Sequence, residues 1–180
     1  RTCHLLGSIM GLYTLYHHFY NTKRTMLPVN DEGFMSDGAG PLSYDIHFAL
    51  EIDYLMAKYQ CDSFIETGTY AGDTIDYISK IYPFISVISS ETDEFLFDYS
   101  QRRLKERKNV NLYNVSSENT IFRFSRNFRM PFYYLDAHSP GSWPLKNELE
   151  NIEYGIICIG DFKIGHKDYC YDRYDGVDCD

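Results

Sequence analysis

The sequence is short of positive charge. Its 17 Lys and Arg stand against 26 Asp and Glu, for a formal net charge of -9. Nucleic-acid binding depends on a concentrated basic face that releases counterions. Only Arg102-Arg103-Leu104-Lys105-Glu106-Arg107-Lys108 is locally basic. That stretch reads as the polar side and end of a helix, where cations complement the macrodipole. The balance argues against a nucleic-acid partner and for a small-molecule one. The chain also lacks any C-x-x-C pair among Cys3, Cys61, Cys158, Cys170 and Cys179, so a zinc site is not expected. Cys61 and Cys158 lie beside apolar strand-like runs and read as buried thiols. Cys170 and Cys179 are able to pair, although a reducing, cytoplasmic compartment is the expectation. The dinucleotide fingerprint G-x-G-x-x-G is missing, which counts against a dehydrogenase-like domain. No apolar run reaches the ~20 residues of a membrane span. The nearest, Leu5 to Tyr20, is interrupted by His17 and His18 and reads as an amphipathic helix in preference to a cropped signal or anchor. A membrane partner is not expected.

What is present suits one domain with an arm. A chain of 180 residues with 44% hydrophobic residues can bury a core without disulfide staples. Asn30 to Pro41 is rich in Gly, Asp and Asn and reads as a loop. The division expected is an N-terminal helical arm over residues 1–42 and an α/β domain over residues 43–180. Ser43 is a candidate N-cap for a helix from about Tyr44 to Tyr59.

From there strands and helices alternate. Strands are expected at Ser63–Glu66, Ile85–Ser89, Val110–Val115, Phe132–Leu135 and Gly155–Ile159. Helices are expected at Asp73–Tyr82, Asp93–Lys108 and Thr120–Phe128, with another marked by Leu145, Leu149 and Ile152. Such alternation implies right-handed βαβ units and a doubly wound, mostly parallel sheet in the order 3-2-1-4-5. Ligands bind such sheets at the carboxyl ends of the strands, near the point where strand order reverses. The residues just past each strand therefore carry the functional argument.

The first strand runs through Glu66-Thr67-Gly68-Thr69-Tyr70-Ala71-Gly72 straight into a helix. Gly68 permits a tight turn and a close approach of ligand to backbone. Gly72 lets the helix start near the strand, with its free N–H groups facing an anion. Alone, two glycines four apart also suit plain packing. Glu91 follows the second strand, and a carboxylate there can accept hydrogen bonds from both hydroxyls of a ribose. The competing reading is a helix-start carboxylate favoured by the dipole, because Asp93 and Glu94 follow.

The segments FIETGTYAGDT, ISSETDE, NVNLYNVSSEN, FYYLDAHS and IICIGDF resemble the successive motifs of class I S-adenosylmethionine-dependent methyltransferases, in particular the small-molecule subgroup with an LDAH fourth strand. The resemblance covers about Ser43 to Lys163. It implies that Glu66, Gly68 and Gly72, with Thr67, Thr69 and Tyr70, cradle the methionine part of S-adenosylmethionine. It implies that Glu91 binds the ribose with Thr92 beside the adenine, and that Ser116 and Ser117 lie at the adenine edge, where the family often has an acid. Asp136 would face the sulfonium and the acceptor.

Methyl transfer needs in-line positioning and deprotonation of the acceptor. The base candidates are His138 and Asp136, with a loop-fixing role as the alternative for His138. Asp136 and Asp161 end adjacent strands, and two such carboxylates can hold a divalent cation that acidifies a substrate hydroxyl. The alternative for Asp161 is a local backbone cap. The family's sheet has seven strands and five are legible here. The tail after Phe162 offers no further pair, so the domain reads as C-terminally incomplete. The fifth strand then leaves an open edge that a second copy of the chain is able to cover. The functional expectation is methyl transfer to a small, hydroxyl-bearing acceptor. The alternative is a non-catalytic nucleotide- or cofactor-binding module of the same fold.

Overall fold

In the computed structural model, residues 40–138 and 143–165 are described, together with the backbone of residues 173–174 and 177–178. Residues 1–39 of the expected arm, with Cys170 and Cys179, lie outside the described residues. A 3₁₀ turn at Pro41–Tyr44 leads into α1 (Ile46–Tyr59). Then follow β1 (Ser63–Thr67), α2 (Asp73–Ile81), β2 (Ser86–Ser90), α3 (Glu94–Leu104) and β3 (Val110–Tyr113). The rest is α4 (Ser117–Phe124), β4 (Pro131–Leu135), α5 (Leu145–Glu150) and β5 (Ile156–Ile159), then a small pair, β6 (Arg173–Tyr174) and β7 (Val177–Asp178).

The five main strands form one sheet in the order β3-β2-β1-β4-β5, and every pairing is parallel. β1 is central and buried along its whole length. Successive side chains on a strand face opposite ways, and here each face meets its own helical layer. Phe64, Val87, Phe132 and Tyr134 pack with Ile52 and Met56 of α1, Ile75 and Ile78 of α2 and Leu104 of α3. Ile65, Ile88, Tyr133 and Leu135 pack on the other face with Ile121 of α4 and Leu145 of α5. Burial on both faces explains why these strands read as apolar runs and not as an alternating pattern.

Three details differ from expectation. The N-cap of the first helix is Asp45, whose carboxylate accepts from the N–H groups of His47 and Phe48. Ser43 instead lies in a left-handed stretch with Leu42 and Tyr44, at φ 52°, 50° and 58°. Leu42, expected in the arm, is a core residue, and its N–H donates to Thr74 Oγ1 at 3.1 Å. The tail holds the antiparallel β6–β7 pair, two residues per strand and separate from the main sheet. Cys61 is buried, as expected, while Cys158 is half-buried. Among the described residues no helix is long and apolar enough to cross a membrane.

Candidate functional site

The turn after β1 is held by its neighbours on both sides. Gly68 takes φ 82° and Gly72 takes φ 76°. A Cβ on Gly68 would stand 2.9 Å from the carbonyl oxygen of Asp136 and 3.1 Å from Ala137 Cα. The glycine is thus required by the loop after β4, in addition to any ligand. A Cβ on Gly72 would press on Leu104 of α3, so this glycine serves the contact between α2 and α3. From the β2 side, Ser90 O accepts from the N–H groups of both Gly68 and Thr69. Glu91 Oε2 accepts from Tyr70 N at 2.8 Å, and its Oε1 accepts from Asp93 N at 3.0 Å. Glu91 therefore bridges the glycine turn and the start of α3, with the remaining lone pairs of its carboxylate available.

Glu66 is buried beneath this turn. Ser89 Oγ donates to Glu66 Oε2 at 2.8 Å, and Thr69 Oγ1 lies 2.7 Å from Ser89 Oγ. Burial pushes the Glu66 carboxyl well above the usual carboxylate range; the Ser89 hydrogen bond opposes this, and the nearby carboxylates of Asp136, Glu91 and Asp73 add to it. Thr67 is fully buried. Its hydroxyl accepts from Asp136 N at 3.1 Å and from Ala137 N at 3.3 Å, so it braces the loop after β4 from below the cleft floor.

One large cleft of about 1360 Å³ opens over the carboxyl ends of the strands. Of the residues expected to bind cofactor, Glu66, Gly68, Thr69, Tyr70, Glu91, Thr92, Ser116, Ser117 and Asp136 line it. Thr67 and Gly72 stand behind the wall. Leu96 and Val115 give the β2–β3 end apolar surface, and Glu118 adds a carboxylate beside Ser116 and Ser117. The chain thus places an acid two residues past the expected position. Ser90 Oγ is buried here without a hydrogen-bond partner and also lines the cleft.

At the other end the cleft reaches Asp136, His138 and Asp161. One ligand atom from each lies within 4.8 Å of the others. The donor set of two carboxylates and an imidazole on adjacent strand ends fits a divalent cation. Asp161 sits in the left-handed region at φ 49°. Burial, with the nearby carboxylates of Asp136 and Glu66 adding to it, raises the Tyr134 phenol far above its ordinary range. A Cβ on Gly160 would overlap Asp136 Oδ1, so the glycine makes the space in which this carboxylate lies. Glu118, Tyr134 and Gly160 were not singled out from the sequence. Gly160 was visible as the residue before Asp161, but its role depends on the pairing of β4 with β5.

No protein-family model matches the chain, and no curated protein matches it in sequence. Solved structures do match in fold. The S-adenosylhomocysteine-bound methyltransferase PaMTH1 of Podospora anserina superposes with a TM-score of 0.54 at 19% identity, over 82% of this chain and 61% of that one. A Staphylococcus aureus protein assigned as a caffeoyl-CoA O-methyltransferase gives 0.52 at 16% identity, over 65% and 58%. A Plasmodium falciparum protein assigned as a protein-L-isoaspartate O-methyltransferase, in complex with S-adenosyl-L-homocysteine, gives 0.51 at 12% identity, over 83% and 75%. The chain spans about three-fifths of the first two structures' length. Sheet order, parallel pairing and these superpositions together establish a Rossmann-like α/β fold, which the chain shares with these methyltransferase structures.

Proposed function

We propose that the chain carries out S-adenosylmethionine-dependent methyl transfer to a small, hydroxyl-bearing molecule. The observation that carries this reading is the single continuous cleft. It runs from a polar edge after β3, past a carboxylate after β2 and the glycine turn after β1, to an acid–histidine pair after β4. In this reading Glu66, Gly68, Thr69 and Tyr70 hold the amino-acid end of the cofactor, with Thr67 bracing the loop after β4 and Gly72 letting α2 start against α3. Glu91 takes the ribose hydroxyls, with Thr92 beside the adenine. Leu96 and Val115 sandwich the adenine, and Ser116, Ser117 and Glu118 meet its edge. The cofactor supplies an activated methyl group. Asp136 and His138 orient the acceptor, and His138 takes the hydroxyl proton.

A second reading of the reacting end rests on the ligand atoms of Asp136, His138 and Asp161, which lie within 4.8 Å of one another. These three would hold a divalent cation whose chemistry is to acidify a bound hydroxyl. In that case His138 is a ligand and not the base.

The test is a titration with S-adenosylhomocysteine, with NAD and ATP as controls. Binding of S-adenosylhomocysteine alone is expected, and Glu91→Ala should weaken it by about 1.5–3 kcal/mol, the scale of hydrogen bonds to a charged group. Unchanged affinity in folded Glu91→Ala would place the ligand elsewhere. Activity assays with and without a chelator then separate the two readings. As base, His138→Ala lowers turnover by roughly 10²–10⁴-fold and chelator has no effect. As ligand set, chelator, Asp136→Asn and Asp161→Asn all inhibit. Cofactor binding without transfer to any acceptor would favour a non-catalytic module.

A further inference from the structure

The turn after β1 carries a residue that its geometry does not favour. The Gly72 N–H donates to the Thr69 carbonyl at 2.8 Å, which closes a β-turn with Tyr70 and Ala71 at its centre. Tyr70 takes φ 49°. A positive φ at the first central position suits Gly, Asn and Asp, because a larger side chain is crowded there. A tyrosine keeps that backbone only where its surroundings hold it. Tyr70 also lines the cleft, so whatever holds this backbone shapes the cleft wall.

Ser100 supplies part of the hold. It lies in the body of α3 and is fully buried. A serine inside a helix commonly bonds back to a carbonyl of its own preceding turn. This one reaches out of the helix, and its Oγ donates to the Tyr70 carbonyl at 2.6 Å. Three residues on, and so on the same helix face, Arg103 donates to the next carbonyl, that of Ala71, at 2.6 Å. The Tyr70 N–H in turn donates to Glu91 Oε2 at 2.8 Å. Tyr70 is thus held at both its backbone groups, the carbonyl by α3 and the N–H by the carboxylate after β2.

We propose that Ser100 is a positioning residue, which acts through the Tyr70 carbonyl to keep the glycine turn in its left-handed form and so to hold the Tyr70 N–H against Glu91. The part that Glu91 plays toward a cofactor rests on the proposed methyl transfer, but the restraint of the turn does not. The close approach of Gly72 favours a small residue at this point of α3, since a Cβ on Gly72 would stand 3.5 Å from Ser100 Cβ and Oγ. Alanine would meet that need equally well. What serine adds is the hydroxyl, and the hydroxyl goes to Tyr70.

The experiment uses the full chain without cofactor or acceptor and reads the turn by NMR. The coupling between the Tyr70 N–H and its Hα reports φ, and amide hydrogen exchange at Gly72 reports opening of the turn. Ser100→Ala should move the Tyr70 coupling off its left-handed value and speed Gly72 exchange about fivefold, the equivalent of one net hydrogen bond. Ser100→Cys keeps a small side chain but offers only a weak donor, and should act like Ser100→Ala. Unchanged Tyr70 and Gly72 signals in Ser100→Ala would overturn the proposal. So would a Ser100→Cys variant that matches the parent, since volume alone would then suffice. Titration with S-adenosylhomocysteine tests the link to the site. Glycine takes a positive φ without help, so the Tyr70→Gly background needs no restraint from Ser100. Ser100→Ala should weaken binding about fivefold in the parent and less than about twofold in Tyr70→Gly. Equal losses in the two backgrounds would overturn the route through Tyr70. Absence of binding in the parent chain would sink the functional reading and leave the NMR result to decide the proposal.

Discussion

Gly160 decides where the Asp136 carboxylate can lie. Its backbone is not in the left-handed region, so alanine fits the backbone, but the added methyl group would overlap Asp136 Oδ1. The end of a side chain yields more readily than a strand. Gly160→Ala should therefore leave the fold intact and swing the Asp136 carboxylate away from His138 and Asp161. A displacement of about 1 Å at a reacting centre can cost ~10²-fold in rate. The expected outcome is a loss of that order in methyl transfer, with a circular dichroism spectrum and S-adenosylhomocysteine affinity like those of the parent. Loss of cofactor binding in parallel would mean that the change had spread to the glycine turn.

Glu66 gives a residue-scale prediction of opposite kind. Its folded-state carboxyl is raised by burial, so the native state holds this proton more tightly than the unfolded chain does. Its contribution to stability is complete below the unfolded value, about 4.3 for glutamate, and is lost as pH rises through the raised folded value. Thermal unfolding scanned upward from pH 4 should show that loss, and Glu66→Gln, which cannot ionise, should flatten it. A parallel pH profile in Glu66→Gln would assign the loss to other groups. In the proposed complex the cofactor's ammonium group lies near Glu66 and favours its ionised form. Binding should then release a proton, which calorimetry in buffers of different ionisation enthalpy would detect.

At the scale of elements, α2 and α3 are joined by charge. Asp76 binds Lys80 at 2.6 Å and Arg107 at 2.8 Å, while Arg103 binds Asp73 at 2.7 Å and donates to the Ala71 carbonyl at 2.6 Å. These bonds also hold the glycine turn, since Ala71 lies within it. The Lys80 and Arg107 partners draw the Asp76 carboxyl below its ordinary value, against the burial that pushes it up. Its contribution is therefore present above the unfolded value of about 3.9 and lost as pH falls through the lowered folded one. Asp76→Asn strands partly buried cations and should cost about 2–4 kcal/mol, measured by denaturant unfolding at neutral pH. The difference from the parent should shrink on acidification.

The same scale shows what was legible in the sequence. The strand order 3-2-1-4-5 could be read because apolar runs alternate with helical periodicity and crossovers are right-handed. The cleft lining followed, because ligand-facing residues are those just past each strand. Thr67 and Gly72 were read as cofactor residues because they share the motif, yet what they touch depends on neighbours far along the chain, Asp136 and Leu104. The 3₁₀ turn could not be read. Leu42, Ser43 and Tyr44 all take left-handed backbone, against the preference of residues with a Cβ, and contacts to α2 hold them there. Glu148, on α5, was hidden for a similar reason: it resembles any solvated glutamate until the fold leaves it 1% exposed.

For the whole molecule, the net charge of -9 is concentrated where it matters. Nine carboxylates line the cleft, and among the described residues that line it there is no Lys or Arg. At the end of the cleft proposed to hold the acceptor, Asp45, Glu51, Asp136 and Asp161 share the wall with Phe48 and Tyr134, whose rings pack edge to face at 5.4 Å. Two unit charges about 8 Å apart interact by roughly 0.5 kcal/mol in water and 2 kcal/mol at an effective dielectric of 20. Several such carboxylates acting together disfavour an anionic acceptor by well over tenfold and favour a cation, which the aromatic faces also attract. The prediction uses three acceptors of one skeleton: 4-hydroxyphenethylamine, its neutral alcohol analogue and its carboxylate analogue. The expected order of kcat/KM is amine, then alcohol, then acid. Raising the salt to about 0.5 M should narrow the gap between amine and acid, because the screening length falls to a few ångströms. A divalent cation on Asp136, His138 and Asp161 would offset two of the charges and leave the order unchanged. Methylation of the acid at the rate of the amine in low salt would show that the acceptor is not selected by charge.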